Sequence, residues 1–197
     1  MSGAIEVSAA GPERIDRLAD VFTRAFADDP MIRWPLPDSP DLPDRIRQVF
    51  ASIYLDIADQ GVIWEAGDAD GFAVWIPAGS AEGMFESDAA VRAQLAPLTD
   101  DGGARYERLW DWIEERVPSD VWYLDAIGVD PAKHGAGIGI ALMRHGLDAA
   151  TAAGVDAFLE TGQERNVAYY ERFGFRVVDH GAPAPDGPHI WFMRTGT

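Results

Sequence analysis

The sequence contains no cysteine, which excludes disulfide bonds, thiolate metal sites and a cysteine nucleophile. Its four histidines, His134, His145, His180 and His189, are not spaced like metal ligands, so we expect no metal. The first residues lack a basic segment followed by an apolar run, and no stretch reaches the roughly 20 apolar residues of a membrane-spanning helix. A cytoplasmic location is therefore the expectation.

Basic residues are scarce: 16 lysines and arginines stand against 33 acidic residues, for a net charge of −17. A field of this sign repels nucleic acid and anionic membranes, so we expect neither as a partner. It favours a cationic small molecule such as an amine, although the same charge also serves simple solubility. An anionic cofactor would have to be held by local backbone N–H groups rather than by the overall charge.

The chain has 197 residues, of which 47% are hydrophobic, and this suits one folded domain over residues 1–197. In the first half, apolar periodicity and turn residues mark off the elements. They predict strands at 5–7, 62–65 and 72–76, helices at 11–28 and 42–60, a proline-rich loop at 30–43 and a polar helical insert at 80–117.

The second half alternates strands with helices. The predicted strands are 121–129, 157–161, 175–178 and 190–194, and the predicted helices are 137–153 and 166–172. Strand–helix–strand order is typical of parallel crossovers. The fold class that follows is α/β, with a mixed central sheet that is antiparallel early, parallel in the middle and flanked by helices.

Gly135, Gly137 and Gly139 alternate at the junction between a predicted strand and a predicted helix. Glycine inside a helix costs about 1 kcal/mol relative to alanine, so three glycines at a first turn need a physical reason. Close packing at the helix start is one reason. The reason we favour is that glycines let a phosphate approach the exposed N–H groups and the positive dipole end of the helix.

Two nucleotide-binding patterns fit this turn less well. A Walker loop requires Lys-Ser/Thr after its last glycine, whereas Ile140 and Ala141 follow Gly139. The dinucleotide fingerprint is closer, because Glu160 ends the next strand about 20 residues on, where a ribose-binding acid would lie. However, Ile140 or Leu142 occupies its third small position, and five residues separate the strand from the first glycine. A dinucleotide-binding oxidoreductase stays open as a minor alternative.

The second half contains three distinctive segments, Trp122–Pro131, Phe158–Thr161 and Asn166–Phe175. They resemble the GNAT acetyltransferases, and most closely the members similar to puromycin N-acetyltransferase. The family's pyrophosphate loop, Gln/Arg-x-x-Gly-x-Gly/Ala, is matched from His134 to Gly139, with His134 where glutamine or arginine is usual. The resemblance is specific over the cofactor-binding core, residues 121–178, and diffuse elsewhere.

This resemblance implies a splayed sheet with acetyl-CoA in the gap between strands 121–129 and 157–161. In the family, strand backbone pairs with the pantetheine arm and loop N–H groups hold the pyrophosphate. A solvated side chain is as good an interpretation of Lys133 as a phosphate contact. The residues that the resemblance places around the cofactor are Ile127, Gly128, Val129, Lys133, His134, Gly135, Ala136, Gly137, Ile138, Gly139, Asn166 and Tyr170.

The resemblance also implies that Tyr170 is the general acid. The acceptor amine attacks the thioester directly, and a phenol of pKa about 10 within hydrogen-bond reach can protonate the departing sulfur. Tyr169 lies about 100° away around the helix and is interpreted as packing. A role in the core is the alternative interpretation of both tyrosines.

Asp125 and Glu160 are the candidates for the group that takes the proton of the amine. Asp125 lies within an apolar strand, where a carboxylate is costly unless it is paired or functional. Strand alternation predicts that Ile127 and Val129 share the face of Asp125. Glu160 ends the neighbouring strand, and a structural hydrogen-bond anchor explains it almost as well. Two carboxylates in one cleft would raise each other's pKa.

We therefore predict an N-acetyltransferase that transfers acetyl from acetyl-CoA to a primary amine of a small molecule; a cationic acceptor and a homodimer are both compatible with the sequence. Acetylation of protein lysines or N-termini, and a catalytically silent acetyl-CoA-binding module, stay open. The acceptor is expected between the 30–43 loop, the 80–117 insert and the strands that carry Trp75 and Asp125. Candidate walls, each also an ordinary core aromatic, are Trp34, Tyr54, Trp110 and Trp112.

Overall fold

A computed structural model describes residues 5–80 and 89–196 of the protein. A seven-stranded sheet has the order β1-β2-β3-β4-β5-β7-β6. Its strands are β1 Val7–Ala9, β2 Ile63–Ala66, β3 Gly71–Ile76, β4 Trp122–Val129, β5 Ala157–Thr161, β6 Arg176–Gly181 and β7 Ile190–Arg194. The pair β4–β5 is parallel and the other neighbouring pairs are antiparallel, which confirms the predicted mixed α/β sheet.

Helices cover both faces of the sheet. They are α1 Ile15–Ala25, α2 Pro30–Arg33, α3 Leu42–Tyr54, α4 Ala89–Leu95, α5 Ala104–Glu114, α6 Ile138–Ala153 and α7 Glu164–Glu171. Part of the predicted insert, residues 81–88, lies outside the described residues. Within the described parts of the chain, no helix is both long enough and apolar enough to cross a membrane.

The first half departs from the predicted elements at three places. The strand predicted at 5–7 is found at Val7–Ala9. A short helix, α2, forms inside the predicted 30–43 loop, because Asp29 caps it by accepting from the Met31 N–H at 2.9 Å and Pro30 occupies its first turn. The helix α3 ends at Tyr54 rather than at residue 60. A separate 3-10 turn over 58–60 follows, and Gly61 closes it in the left-handed region with φ 72°.

Two apolar clusters fill the space between the sheet and its helices. One packs beneath α1, α3 and α5 and includes Phe50 and Phe72. The other lies beneath α6, where a side chain at Gly146 would overlap the buried ring of Trp75. Trp75 therefore packs against α6. This corrects the prediction that its strand presents it to the acceptor cleft, because Asp125 lies on the α3 side of the sheet.

The sheet opens beyond the middle of β4. The parallel pairing of β4 with β5 ends at Leu124 and Leu159, although β4 continues to Val129. In the ladder with β3, Trp75 pairs with Leu124 and Val74 with Ala126, so Asp125 is the extra residue of a β-bulge. The rest of β4 thus presents one backbone edge to the gap.

The bulge at Asp125 also overturns the predicted alternation along β4. Tyr123 and Ala126 belong to the cluster beneath α1 and α3, whereas Ile127 and Val129 pack with the cluster beneath α6. A bulge shifts the pleat by one residue, so Ile127 and Val129 lie on the face opposite Asp125.

Candidate functional site

The glycine turn before α6 has the geometry of an anion cradle. Gly135 and Gly137 have φ angles of 82° and 87°, a region that residues with a side chain rarely adopt. Gly137 is the N-cap of α6 and offers no side-chain cap, so the first N–H groups of the helix depend on an outside partner. At Gly139 a Cβ would lie 3.2 Å from the Tyr169 hydroxyl oxygen. Each glycine keeps the backbone close to the open space in front of the helix.

The segment between β4 and the glycine turn is held by Asp130. Its Oδ1 accepts from the Ala132 N–H at 2.9 Å, and its Oδ2 accepts from Arg24 of α1 at 2.7 Å. These two contacts, in that order, lower the pKa of Asp130. Beside it, Lys133 forms an ion pair with Asp70 at 3.1 Å. The lead-in that distinguishes this turn from a dinucleotide fingerprint is therefore an ordered 3-10 turn tied to α1.

A cleft of about 520 Å³, the cofactor cleft, runs from the glycine turn along the free edge of β4 to α7. The predicted cofactor residues line it with one exception: Ala136 is exposed, and its N–H donates to the Lys133 carbonyl at 3.2 Å. Sequence reasoning did not identify the remaining lining residues. They are Ala25, Phe26, Asp29, Ile140, Gln163, Arg165 and Tyr169.

A smaller cavity of about 90 Å³, the carboxylate cavity, adjoins the cofactor cleft on the α1 and α3 side of the sheet. Both Asp125 and Glu160 line it, as do Tyr54 and Trp110 among the predicted aromatic walls. The two spaces meet at residues that line both of them. These are Phe26, Asp29, Ile127, Asn166 and Tyr170.

Tyrosine hydroxyls bind the two carboxylates of this cavity. Tyr54 donates to Asp125 Oδ2, and Tyr123 donates to Glu160 Oε1 at 2.9 Å and is also hydrogen-bonded to Asp125. Asp125 Oδ1 and Glu160 Oε2 are buried and have no hydrogen-bond partner among the described residues. The sequence predicts Tyr54 as a candidate wall of the acceptor site, but it does not predict that Tyr54 or Tyr123 binds a carboxylate.

Burial dominates the acid–base properties of the pair. It raises the pKa of Asp125 from 3.8 to about 6, against the opposing effect of the hydrogen bonds from Tyr54 and Tyr123. It also raises the pKa of Glu160 well above its ordinary value, and the neighbouring charge of Asp125 adds to this. The predicted effect of one carboxylate on the other is therefore present at Glu160, where burial is still the larger cause, whereas at Asp125 burial alone raises the pKa.

Tyr170 lies where the two cavities meet and is 7% exposed. Burial raises the pKa of its phenol, and the charges of Tyr169, Asp29 and Glu160 raise it further. The hydroxyl is thus kept protonated, which is the form that can donate a proton. Tyr169 packs edge-on against Tyr170, with ring centroids 5.4 Å apart. It also lines the cofactor cleft, so it is not only a packing residue as predicted.

Asp29 is buried at the same junction, but both of its oxygens have partners. Oδ1 accepts from the Met31 N–H, and Oδ2 accepts from Gln163 Nε2 at 2.9 Å. The pKa of Asp29 is raised by burial, and these hydrogen bonds oppose the shift. Asp29 therefore links α2 to the start of α7 and forms one wall of the junction.

The structure separates the other predicted aromatic walls from the carboxylate cavity. Trp34 donates its Nε1–H to Asp186 at 3.4 Å, in the segment between β6 and β7. Trp112 packs on Phe192, and Arg116 lies over its ring at 4.0 Å. From the insert, Tyr106 joins Trp110 in lining the cavity, because both lie on the face of α5 that packs towards the sheet.

Comparison with known proteins agrees with this arrangement. Residues 99–175 match the family model described as the acetyltransferase (GNAT) family. The histone acetyltransferase HPA2 and related acetyltransferase from Corynebacterium glutamicum is 24% identical, with a TM-score of 0.69 over 99% of this chain and 96% of that chain.

Two further solved structures share the fold at lower identity. The polyamine N-acetyltransferase of Drosophila melanogaster, which forms N-acetylagmatine, is 14% identical, with a TM-score of 0.64 over 98% of this chain and 100% of that chain. The PaiA N-acetyltransferase from Thermoplasma acidophilum, solved with coenzyme A, is also 14% identical, with a TM-score of 0.60 over 98% of this chain and 99% of that chain. At these identities the likeness establishes the shared fold.

Proposed function

Because residues 99–175 match the model of the GNAT acetyltransferase family, we propose that the chain transfers the acetyl group of acetyl-CoA directly to the primary amine of a small molecule. One observation carries the proposal: the cofactor cleft and the carboxylate cavity meet at Tyr170. A thioester delivered along the cleft and an amine held in the cavity would come together beside a buried phenol. That juxtaposition brings an acid, a base and both substrates to one point.

The cofactor cleft suits acetyl-CoA in both length and chemistry. We propose that the free edge of β4 over Ile127–Val129 pairs with the pantetheine arm, and that Asn166 contacts the same arm. Within the segment from His134 to Gly139, the N–H groups of Gly135, Gly137 and Gly139 would hold the pyrophosphate, because positive φ angles at the first two and absent side chains at all three leave them accessible. Local N–H groups are the appropriate donors in a chain whose net charge of −17 repels anions.

The proposed chemistry assigns one proton transfer to each side of the junction. Glu160 or Asp125 takes a proton from the acceptor ammonium, and the nitrogen lone pair then bonds to the thioester carbonyl carbon. When the tetrahedral intermediate collapses, the C–S bond breaks and Tyr170 protonates the sulfur, and the second proton lost by the nitrogen restores the tyrosine hydroxyl. Both carboxylates are candidates for the base, since burial raises the pKa of each and brings that of Asp125 to about 6.

The enclosure of Asp125 supports a small acceptor over a protein segment. Its cavity measures about 90 Å³ and is bounded by side chains of α1, α3 and α5, among them Phe22, Tyr54 and Trp110. A lysine of a folded protein would need an open groove at this point. The buried position of Tyr170 supports turnover over a silent binding module, because such a module has no need of a proton donor at the junction.

Acetyl transfer measured as CoA release across a panel of amines tests the proposal, with Tyr170→Phe as the decisive variant. We expect its kcat to fall by about a hundredfold or more with little change in the KM for acetyl-CoA, since only the proton donor is lost. Tyr169→Phe is the matched comparison, and its kcat should fall by much less. Undiminished turnover in Tyr170→Phe would disprove the general-acid role. Binding of CoA without turnover on any amine would identify a silent module.

A further inference from the structure

The carboxylate cavity is lined by acidic side chains, and no basic residue belongs to its described lining. Its described lining contains Asp29, Asp125 and Glu160 but no lysine, arginine or histidine. Asp29 is compensated by its two hydrogen bonds and by the nearby charge of Arg165. Asp125 and Glu160 have tyrosine hydroxyls for partners instead. Two buried acids thus lie in one cavity without a cationic partner, and their ionised forms are costly unless a ligand supplies one.

Each of these carboxylates also keeps one oxygen for a donor that the described protein does not provide. Asp125 Oδ1 and Glu160 Oε2 are buried without a hydrogen-bond partner. Native proteins rarely leave buried acceptors unsatisfied, and such exceptions mark strain or a binding site. A primary ammonium has several N–H donors and the charge that the cavity lacks.

The spacing of the two carboxylates follows from Tyr123, which is hydrogen-bonded to both. Two hydrogen bonds that share one hydroxyl place the carboxylates roughly 5 Å apart. A ligand with two ammonium groups joined by three or four carbon atoms, at ~1.5 Å a bond, spans roughly 5 to 6 Å between its nitrogens and matches this separation. A ligand with a single ammonium would leave one carboxylate uncompensated.

The shape of the cavity favours a slender chain. Its volume is about 90 Å³, and apolar side chains of Phe22, Ile53 and Tyr106 lie along it. An engineered apolar cavity that admits benzene has a volume of about 150 Å³, so an aryl ring is a poorer fit here than methylene groups. The walls therefore accommodate an aliphatic linker between two charged ends.

The two carboxylates lie on different elements. Glu160 lies near the end of β5, four residues before α7, which carries Tyr170, and its charge raises the pKa of that phenol. Asp125 lies on the α3 side, where Tyr54 binds it. The reacting nitrogen therefore belongs at Glu160, and a second ammonium belongs at Asp125.

We propose that the preferred acceptor is a short aliphatic diamine, with one end acetylated beside Glu160 and Tyr170 and the other ammonium bound by Asp125. This inference rests on the proposed acetyltransferase activity and deepens it by naming the substrate class. The second ammonium provides no reacting atom; its contribution is to hold the chain in register and to neutralise Asp125.

The experiment compares diaminobutane with butylamine, which share a chain length and differ only in the second ammonium. At saturating acetyl-CoA, the wild-type kcat/KM should be at least about tenfold higher for the diamine, since a charged hydrogen bond is lost with the monoamine. Asp125→Asn should reduce that ratio by about tenfold while the exposed control Asp28→Asn keeps it. Tyr54→Phe, which keeps the ring and removes the hydroxyl that binds Asp125, should weaken the preference in the same direction.

Three outcomes would overturn the inference. The first is equal use of the two amines by the wild type, and the second is a diamine preference that survives in both Asp125→Asn and Tyr54→Phe. In both of these cases the acetyltransferase activity itself stands. If neither amine is acetylated, the proposed function fails for aliphatic amines, and the binding of both amines is then measured by calorimetry. Tighter binding of diaminobutane that is lost in Asp125→Asn supports the assignment of the cavity. Equal binding of the two amines is the third outcome and refutes it.

Discussion

Asp125 shows how a single residue departs from the strand that carries it. A carboxylate within an apolar strand would normally be excluded from the protein interior. The bulge removes Asp125 from the regular ladder with β3, and Tyr54 and Tyr123 bind it on the α3 side. The residue is thereby held beside a cavity at the cost of a raised pKa.

This raised pKa makes Asp125 a destabilising group at neutral pH. The folded protein holds the proton of Asp125 up to about pH 6, whereas the unfolded chain releases it near pH 3.8, so stability falls as the pH rises through this interval. Between about pH 5 and pH 8, the contribution of Asp125 to the free energy of unfolding should fall by roughly 1.4 kcal/mol. Urea denaturation should therefore show that the free energy of unfolding of Asp125→Asn, relative to that of the wild type, rises by about this amount between about pH 5 and pH 8.

The control for this prediction is Asp28→Asn, which removes an exposed carboxylate and the same formal charge. Its stability relative to the wild type should depend far less on pH. A gain for Asp125→Asn no larger than that of Asp28→Asn would mean that Asp125 titrates in the folded protein as it does in water.

At the scale of the element, α6 is bounded by glycines in the left-handed region at both ends. Gly137 at the N-cap has φ 87°, and Gly154 at the C-cap has φ 71°. Both caps require a positive φ, but their surroundings differ. Gly137 borders the cofactor cleft, whereas a side chain at Gly154 would have nothing within 4 Å. Substitutions at Gly137 and Gly154 therefore distinguish the effect of backbone strain from an effect on cofactor binding.

Alanine at either cap should cost about 1 kcal/mol of stability, because both positions require a positive φ. Only Gly137→Ala should raise the KM for acetyl-CoA, by roughly tenfold, since it shifts the N–H groups that we propose for the pyrophosphate. Steady-state kinetics and thermal unfolding of the two variants measure these effects. A similar KM in Gly137→Ala and Gly154→Ala would contradict the proposed phosphate cradle.

At the scale of the whole molecule, the net charge of −17 acts in opposite directions on the two proposed substrates. It attracts an ammonium ion and repels the phosphates of acetyl-CoA. The acidic residues of the carboxylate cavity also favour an ammonium ion locally. The N–H groups of the glycine turn, in contrast, provide local donors for phosphate. Added salt screens the long-range part of both effects.

Raising the salt concentration from about 20 mM to about 300 mM should increase the KM for a cationic amine roughly threefold and leave the KM for acetyl-CoA unchanged or lower. Initial rates at several salt concentrations measure both constants. A neutral solute at equal osmolarity is the control and should leave both constants unchanged. An amine KM that is insensitive to salt would show that the overall charge serves solubility alone.

The elements that periodicity predicts well are those with strong local signals. The strand 157–161 and the helix that follows the glycine turn are found almost as predicted, because apolar spacing and glycine punctuation act locally. The helix α2 was missed, since Asp29 and Pro30 also suit a loop. The face of Ile127 was predicted wrongly, since a bulge depends on pairing with a neighbouring strand.

The sequence by itself determined the mixed α/β sheet, the resemblance to the GNAT acetyltransferases and the position of the glycine turn, because these depend on local patterns along the chain. Only the tertiary structure decided that Asp125, Glu160, Tyr54 and Tyr123 share one cavity and that Trp75 lies outside it. Side chains up to 106 positions apart in the chain come together there, from α3, β4 and β5. Their contacts depend on how strands splay and how helices pack, and these are properties of the assembled sheet rather than of any one segment.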